Sequence, residues 1–366
     1  MRQGWVYKKL NEVCDKGSSN IVINKLEDNN GDYPLFGASG LVKNVDFYHQ
    51  DKPYIGIVKD GAGVGRVNTY PAFSSLVGTM QYIFAKDDCL LDYIKYFLVK
   101  LDLSHCVSGA TIPHIYFKDY GKERIPVPPM SIQKSIVAEL DKINELIGLK
   151  EMQLNNLDSL AQSIFNEMFG DPIENEKGWE KKKYEDVCVV ITDGEHNTPK
   201  RESHGILLLS ARNIHNHRLE LQDVDYIGEE EYNRISKRII PQAKDILISC
   251  SGSVGRVCSV PDEMKFQMVR SVALLRLNSY MNNVFFEYLI SSDFTQEQIT
   301  KAKTNSAQAN LFQGRIKKLI AIVPPLSLQQ SFAKRISAIE QQKQQIIESI
   351  KDLETLLASR MQYWFD

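Results

Sequence analysis

The sequence predicts an α+β protein in which two similar globular domains are joined by two long antiparallel coiled-coil helices, with internal pseudo-two-fold symmetry. Two observations lead there: the chain repeats itself, and each copy closes on a long segment of helical periodicity. Gly4-Trp5, Lys8-Lys9 and Val13-Cys14 recur as Gly178-Trp179, Lys182-Lys183 and Val187-Cys188. Gly61-Ala-Gly-Val-Gly-Arg-Val67 recurs as Ser251-Gly-Ser-Val-Gly-Arg-Val257, and Val127-Pro-Pro-Met-Ser-Ile-Gln133 as Val323-Pro-Pro-Leu-Ser-Leu-Gln329. From there the match runs without a gap to Met168-Phe169 against Trp364-Phe365. The second copy carries about 22 extra residues, mostly before its Ser251 turn, and insertions of that kind belong in loops. The boundaries this implies are domains at 1–129 and 171–325, and helices at 130–170 and 326–366.

In chain order, Tyr54-Ile-Gly-Ile-Val58 is a β-rich run followed by the Gly61 turn, and Met80-Gln-Tyr-Ile-Phe-Ala85 is a second such run. A short helix is expected over Leu91–Leu101. Pro128-Pro129 then bars helix upstream, and Ser131 is a suitable N-cap for the long segment behind it. Apolar residues follow at Ile136, Leu140, Ile143, Ile147, Leu154, Leu157, Ile164 and Met168, the alternating spacing of a coiled-coil seam. Gly148 is a soft spot in it, worth about 1 kcal/mol against alanine. The helix should stop at Gly170-Asp171-Pro172.

The second copy repeats this order. Strands are expected at Ile246–Ser249 and Val272–Leu277, and a short helix over Asn283–Ser291. Ser327 with Gln330 forms a capping box, and the second seam runs through Phe332, Ile336, Ile339, Ile346, Ile350, Leu353, Leu357 and Trp364. A helix of about 38 residues spans roughly 57 Å and could not bury such a stripe against itself. The two should pack on each other, chiefly through Ile136, Leu140, Ile143 and Leu157 against Ile336, Ile339, Ile350 and Leu353.

Composition narrows the function. With 366 residues, 43% hydrophobic and 25% charged, the chain has the make-up of a globular protein rather than a disordered one. No run of apolar residues is long enough for a membrane span, and Met1-Arg2-Gln3-Gly4-Trp5 lacks the apolar core of a signal peptide, so a cytoplasmic location without membrane contact is expected. The six cysteines are far apart and form no C-x-x-C pair, which argues for reduced thiols instead of a metal site or a disulfide framework. Net charge is −2, not that of a basic polyion, yet the two globular parts each carry about +1 and residues 130–171 roughly −4. Phosphate contacts would thus lie on the globular parts, near clusters such as Lys181-Lys182-Lys183, Lys200-Arg201 and Lys317-Lys318.

A search for catalytic chemistry comes back empty. Gly61-Ala-Gly-Val-Gly65 lacks the Walker Lys-Ser/Thr, and its counterpart puts serines at 251 and 253. It is better read as a tight hairpin turn that presents backbone N–H groups and Arg66 or Arg256. Val127-Pro-Pro-Met130 and Val323-Pro-Pro-Leu326 lack the polar first and aromatic last residue of an amino-methyltransferase tetrapeptide. His114, His196 and His204 have no activated nucleophile motif beside them. Thr192-Asp-Gly-Glu-His196 reads as a polar turn that is either structural or able to touch base edges.

Taken in order, these residues resemble the specificity (S) subunit of Type I restriction-modification enzymes. The resemblance rests on two copies that open with Gly-Trp and close with Pro-Pro-Leu/Met-x-x-Gln before a long helix. Thr192-Asp-Gly-Glu-His196, Ser210-Ala-Arg-Asn-Ile214, Ser251-Gly-Ser-Val-Gly-Arg256 and Ser306-Ala-Gln-Ala-Asn-Leu311 add to it. It implies two target recognition domains, each reading one half of a bipartite DNA sequence, with the helix pair setting the spacer. It also implies that the chain is no enzyme and holds no cofactor. It would bind double-stranded DNA and dock two methyltransferase subunits that use S-adenosylmethionine, and restriction and translocase subunits would join through the complex. Carried onto this sequence, DNA contacts fall on Lys59, Arg66, Thr111 and His114 in the first copy. In the second they fall on Thr192, Asp193, His196, Arg212, Asn213, Ser251, Arg256, Gln308 and Asn310. The first copy lacks Thr-Asp-Gly-x-His and has Tyr33-Pro-Leu-Phe-Gly-Ala-Ser-Gly40 in that general region, so the two half-sites should differ. A fused methyltransferase or nuclease, and a duplicated protein-binding scaffold, are the alternatives.

Overall fold

A computed structural model describes residues 4–109, 111–303 and 309–366. The chain forms two compact units, Met1–Met152 with Ile346–Asp366, and Gln153–Gln345. Each long helix therefore contributes to both: Met130–Phe169 and Leu326–Phe365 begin in one unit and end in the other.

The first unit is built on a four-stranded antiparallel sheet in the order Cys14–Ser18, Met80–Ala85, Tyr54–Val58, Val67–Tyr70. Tyr54–Val58 is buried on both faces, and its alternation sorts the core. Ile55 and Ile57 face Tyr93, Ile94 and Phe97 of the helix Leu91–Leu101, while Tyr54 and Val58 join Leu35, Val45 and Leu76 on the other side. The second layer there is a three-stranded sheet, Gly40–Val45, Tyr33–Gly37 and Ser75–Leu76, the last pair parallel. Val6–Lys9 pairs with Arg124–Val127 and ties the start of the copy to its end.

The second unit repeats the plan. Its four-stranded sheet has the order Cys188–Asp193, Val272–Leu277, Ile246–Ser249, Val257–Ser259, and Glu180–Lys183 pairs with Ile320–Val323. Ile246, Ile248, Ala273 and Leu275 face one core; Leu247, Val272 and Leu274 face another. The strands and short helices expected from the sequence at Tyr54–Val58, Met80–Ala85, Leu91–Leu101, Ile246–Ser249, Val272–Leu277 and Asn283–Ser291 all form at those residues.

Three expectations need correction. The extra residues of the second copy are not loop alone: they include the hairpin Ile214–His215/Arg218–Leu219 and the helix Glu229–Ser236. Ser131 and Ser327 are not N-caps, because the helices begin one residue earlier and the carbonyls of Pro129 and Pro325 accept the first helical N–H groups, from Gln133 and Gln329. The seam also changes phase near the helix ends. Ile164, Met168 and Trp364 are only half-buried, and the residues driven into the cores are Ala161, Phe165 and Phe169, and Met361 and Phe365.

Along the seam, Ile136, Leu140, Ile143, Ile336 and Ile339 are buried, and Leu157, Ile350 and Leu353 are half-buried. In the second unit the partners descend as the first helix ascends: Asp158 bonds Lys343 at 2.8 Å, and the Phe165 and Phe169 rings meet Phe332 at 5.7 and 5.4 Å. That is antiparallel packing. In the first unit Glu139 accepts from Arg360 and, at 3.0 Å, from the indole of Trp364. The first helix ends where Gly170 takes φ +73°, with its N–H on the Asn166 carbonyl.

The paired openings have matching jobs. Trp5 stacks on Trp364 with ring centroids 6.3 Å apart, and the Trp179 indole donates to the Phe169 carbonyl at 2.7 Å. Each Gly-Trp thus closes over the end of a long helix. Gln133 and Gln329, both fully buried, do the same at the helix starts. Gln133 accepts from the Leu90 amide at 2.9 Å and donates to the Asp88 and Pro128 carbonyls. Gln329 accepts from the Asn282 amide at 2.8 Å and donates to the Pro324 and Tyr280 carbonyls.

Candidate nucleic-acid interface

Sheet register brings the candidate residues of the second unit to one edge. Asp193 pairs with Ala273 and Ser249 with Val272, so the chain leaves two strands and enters a third side by side. Backbone bonds continue the pairing into the loops. Gly194 N–H donates to Val272 O at 3.0 Å, Glu195 N–H to Met268 O at 2.9 Å, Arg270 N–H to Glu195 O at 2.9 Å, and Leu311 N–H to Cys250 O at 2.9 Å. Gly194 is required at its position, since a Cβ there would stand 2.3 Å from the Met268 carbonyl oxygen. The result is a cleft of about 710 Å³ lined by Asp193, His196, Arg201, Ser251, Arg270 and Asn310, with Phe312 beside them.

Polar side chains in and around the cleft are held by specific partners. His196 Nε2 lies 2.8 Å from one oxygen of Asp193, and Arg238 bonds the other. Arg238 also donates to Thr192 Oγ1 at 3.2 Å and to the Gly194 carbonyl at 3.3 Å, so it straps the whole turn. Glu195 accepts from the Asn197 amide at 2.9 Å and faces Arg234 at 3.6 Å. Ser251 Oγ donates to Asn310 Oδ1 at 2.9 Å. Burial pushes the Cys250 thiol up to about 12, so this cleft residue stays a thiol and offers no nucleophile at neutral pH.

Two of the expected contact residues are engaged elsewhere. Asn213 is buried and uses its whole amide: Oδ1 accepts from the Ser210 amide and hydroxyl, and Nδ2 donates to the Glu220 and Asp223 carbonyls. It leaves no polar atom for a base edge. Arg212 lies 3.0 Å from Asp225 and 3.5 Å from Asp223. Burial alone would raise the Asp225 carboxyl, but Arg201 and Arg212 more than offset it and hold it below the usual range. The Arg256 amide closes the 249–256 turn on Ser249 Oγ at 2.9 Å, and its side chain does not line the cleft. Gln308 lies outside the described residues.

The first unit gathers its candidates around the equivalent turn. Gly61, Gly63 and Gly65 all take φ between +83° and +88°, which lets the turn curl so that the Gly65 N–H reaches the Val58 carbonyl at 2.8 Å. Arg66 folds across Gly63 and donates to the Ala38 carbonyl at 3.2 Å. Lys59 pairs with Asp60 at 3.6 Å, and the Ile115 N–H donates to the Lys59 carbonyl, which draws the 108–114 loop alongside. Thr111 is exposed on that loop. Asp60 bridges to His114 as Ser251 bridges to Asn310, so His114 and Asn310 occupy the same station in the two copies.

Tyr33–Gly40, by contrast, is no counterpart of Thr192–His196. Its first five residues, Tyr33–Gly37, form a strand that runs parallel to Ser75–Leu76, as Ile206–Leu209 runs parallel to Phe266–Met268. Sequence reasoning missed Arg234, Arg238 and Arg270. Arg234 sits on a helix within the insertion and Arg238 in the turn just after it, and Arg270 sits in a turn whose only sequence mark is a charged residue between two apolar runs.

Among the described residues no cluster of side chains could hold a metal ion, and no helix is long and apolar enough to cross a membrane. A family model described as Type I restriction modification DNA specificity domain matches residues 2–158 and again residues 176–354. The Type I restriction enzyme MjaVIII specificity subunit of Methanocaldococcus jannaschii is 20% identical over 309 residues, 77% of this chain and 73% of its own. The MjaIX specificity subunit of the same organism is 24% identical over 302 residues, 74% of this chain and 68% of its own. A crystal structure of the S subunit of a Type I restriction-modification system from M. genitalium aligns over 99% of this chain and 96% of its own. Its TM-score is 0.58 at 14% identity, a likeness that speaks to the fold. The resemblance drawn from the repeated motifs therefore holds, and the chain belongs to the Type I restriction modification DNA specificity family, as a subunit that recognises DNA and does no chemistry itself.

Proposed function

We propose that each unit reads one half of an asymmetric, two-part DNA target and that the long helices fix the number of unread base pairs between the halves. In this reading the recognition domains comprise residues 1–129 and 171–325, and the helices 130–170 and 326–366. The chain docks two methyltransferase subunits, which supply S-adenosylmethionine chemistry, and restriction and translocase subunits join through them in the cytoplasm. One observation carries the reading. Two sheets of the same strand order place loops of different composition at the same edge: Lys59, Arg66, Thr111 and His114 in one copy, and Thr192, Asp193, His196, Ser251 and Asn310 in the other. A shared frame with different polar groups suits one mode of docking on two different sequences. Arg256 and the outer face of Arg212 are assigned to phosphates in this proposal.

Single-molecule methylome sequencing of a host carrying the complex tests this directly. A non-palindromic motif in two parts is expected, and a palindromic or uninterrupted motif would overturn the proposal. The spacer has its own test. Inserting seven residues after Leu154, together with seven near Ile350, preserves a seven-residue seam and adds roughly 10 Å of helix, about three base pairs. The motif should keep both halves and widen its gap.

A further inference from the structure

Of the two arginines that line the cleft of the second unit, Arg201 is already committed, since its Nε donates to Asp225 at 2.9 Å. Arg270 is exposed, and among the described residues its guanidinium has no ion pair and no hydrogen bond. The other charges at this edge are matched: Asp193 by Arg238, and Glu195 and Glu231 by Arg234. Arg270 is thus, among the described residues of this wall, a cation with no carboxylate to match it.

Its backbone is anything but loose. The Arg270 N–H is bonded to Glu195 O, Val269 forms a parallel bridge with Glu195, and the Val272 N–H closes the turn on Val269 O at 2.9 Å. A rigid stem with a free planar fork of donors is what recognition of two adjacent acceptors requires, because little order must be imposed on binding. Phe312, 59% exposed on the same cleft, adds an apolar surface at a fixed backbone position, since its carbonyl caps the short helix Gln313–Ile316.

We propose that Arg270 is a specificity-determining residue of the second unit and reads the O6/N7 edge of a guanine in that unit's half-site. Position favours a base over a phosphate. Arg270 shares one cleft with His196, Ser251 and Asn310, side chains suited to base edges, while a phosphate clamp would be expected among cations.

The inference rests on the two-part reading above, and the experiment separates the two. The complete complex is assembled with the wild-type chain, Arg270→Ala and Arg270→Lys, and each is assayed by methylome sequencing and by binding to cognate and scrambled duplexes over a range of salt. A wild-type motif that is not in two parts removes the parent reading. If the wild-type motif is in two parts, Arg270→Ala should make one G·C position in one half degenerate, leave the other half intact, and weaken cognate binding tenfold to a hundredfold, by about the worth of one bidentate pair. Arg270→Lys should not restore the lost position, because an ammonium cannot form the fork. An unchanged motif overturns the proposal, and so does equal weakening on all sequences with a shallower salt dependence, the mark of a phosphate contact. Since the exposed Arg270 side chain makes no hydrogen bond or ion pair among the described residues, thermal melting of both variants should match the wild type, which excludes misfolding as the cause.

Discussion

Glu139 shows how much of this structure is held by single charged groups reaching between the long helices. Arg360 bonds both its oxygens, and the Trp364 indole adds a third donor. The Arg360 bond holds the Glu139 carboxyl below the usual carboxylate range, with Trp364 acting in the same direction. A depressed carboxyl stabilises the fold above its unfolded pKa of about 4.3, and the contribution is lost as pH falls through the lower folded value. Glu139→Gln should therefore cost about 1 kcal/mol at pH 7, a figure discounted because both side chains are a third exposed, and almost nothing near pH 3. Chemical denaturation of both proteins at the two pH values checks this; an equal cost at both would show that charge is not the cause. Arg238 is a residue of another kind. It positions Thr192, Asp193 and Gly194 without lining the cleft. Arg238→Ala should change melting little and blur recognition in one half-site only, whereas a uniform loss of binding in both halves would make it a general structural residue. Neither role is visible in the chain, because ion pairs between residues 221 and 45 positions apart are set by tertiary packing, not by local pattern.

At the scale of elements, the buried glutamines are the sharpest test of how a helix is docked. Gln133 and Gln329 each satisfy a free amide at the start of a neighbouring helix and two carbonyls. Gln→Leu at either site keeps the volume but strands these buried groups, and should cost roughly 2–4 kcal/mol. A loss under about 0.5 kcal/mol by urea denaturation would mean that water replaces the amide. The Pro-Pro-x-x-x-Gln pattern was legible as punctuation, but its purpose needed the fold. The same division runs through the other elements. Tyr54–Val58 and Ile246–Ser249 could be read because short β-branched and apolar runs beside a Gly-containing turn have few other fates. The helix Glu229–Ser236 could not, because it opens on three glutamates and buries only Ile235, which leaves no stripe to detect. At the ends of the long helices the seam gives way to globular cores. There Phe165, Phe169 and Phe365 face a partner that seam spacing knows nothing about.

At the scale of the whole molecule, each Gly-Trp opening meets the end of a long helix. In the second unit, the end of the first long helix is joined to its Gly-Trp opening by a turn, with Asn175 bonded to Asp171 and Trp179. In the first unit the equivalent meeting joins residues far apart in sequence: Trp5 stacks on Trp364 and Lys100 pairs with Asp366. The two meetings are built from the same parts, so the position of the break should matter little. A chain with Asp366 joined to Gly4 through a copy of the Gly170–Lys177 turn, and opened between Ile173 and Glu174, gives up one backbone bond of that turn and exchanges which of the two meetings must close a long loop. Its melting temperature should stay within a few degrees of the parent, and its methylation motif should be unchanged. The decisive control is the uncut chain carrying the same added linker at its end. If that control folds and the permuted chain does not, the 170–178 connection has a folding role of its own, and the two openings are equivalent in sequence but not in energy.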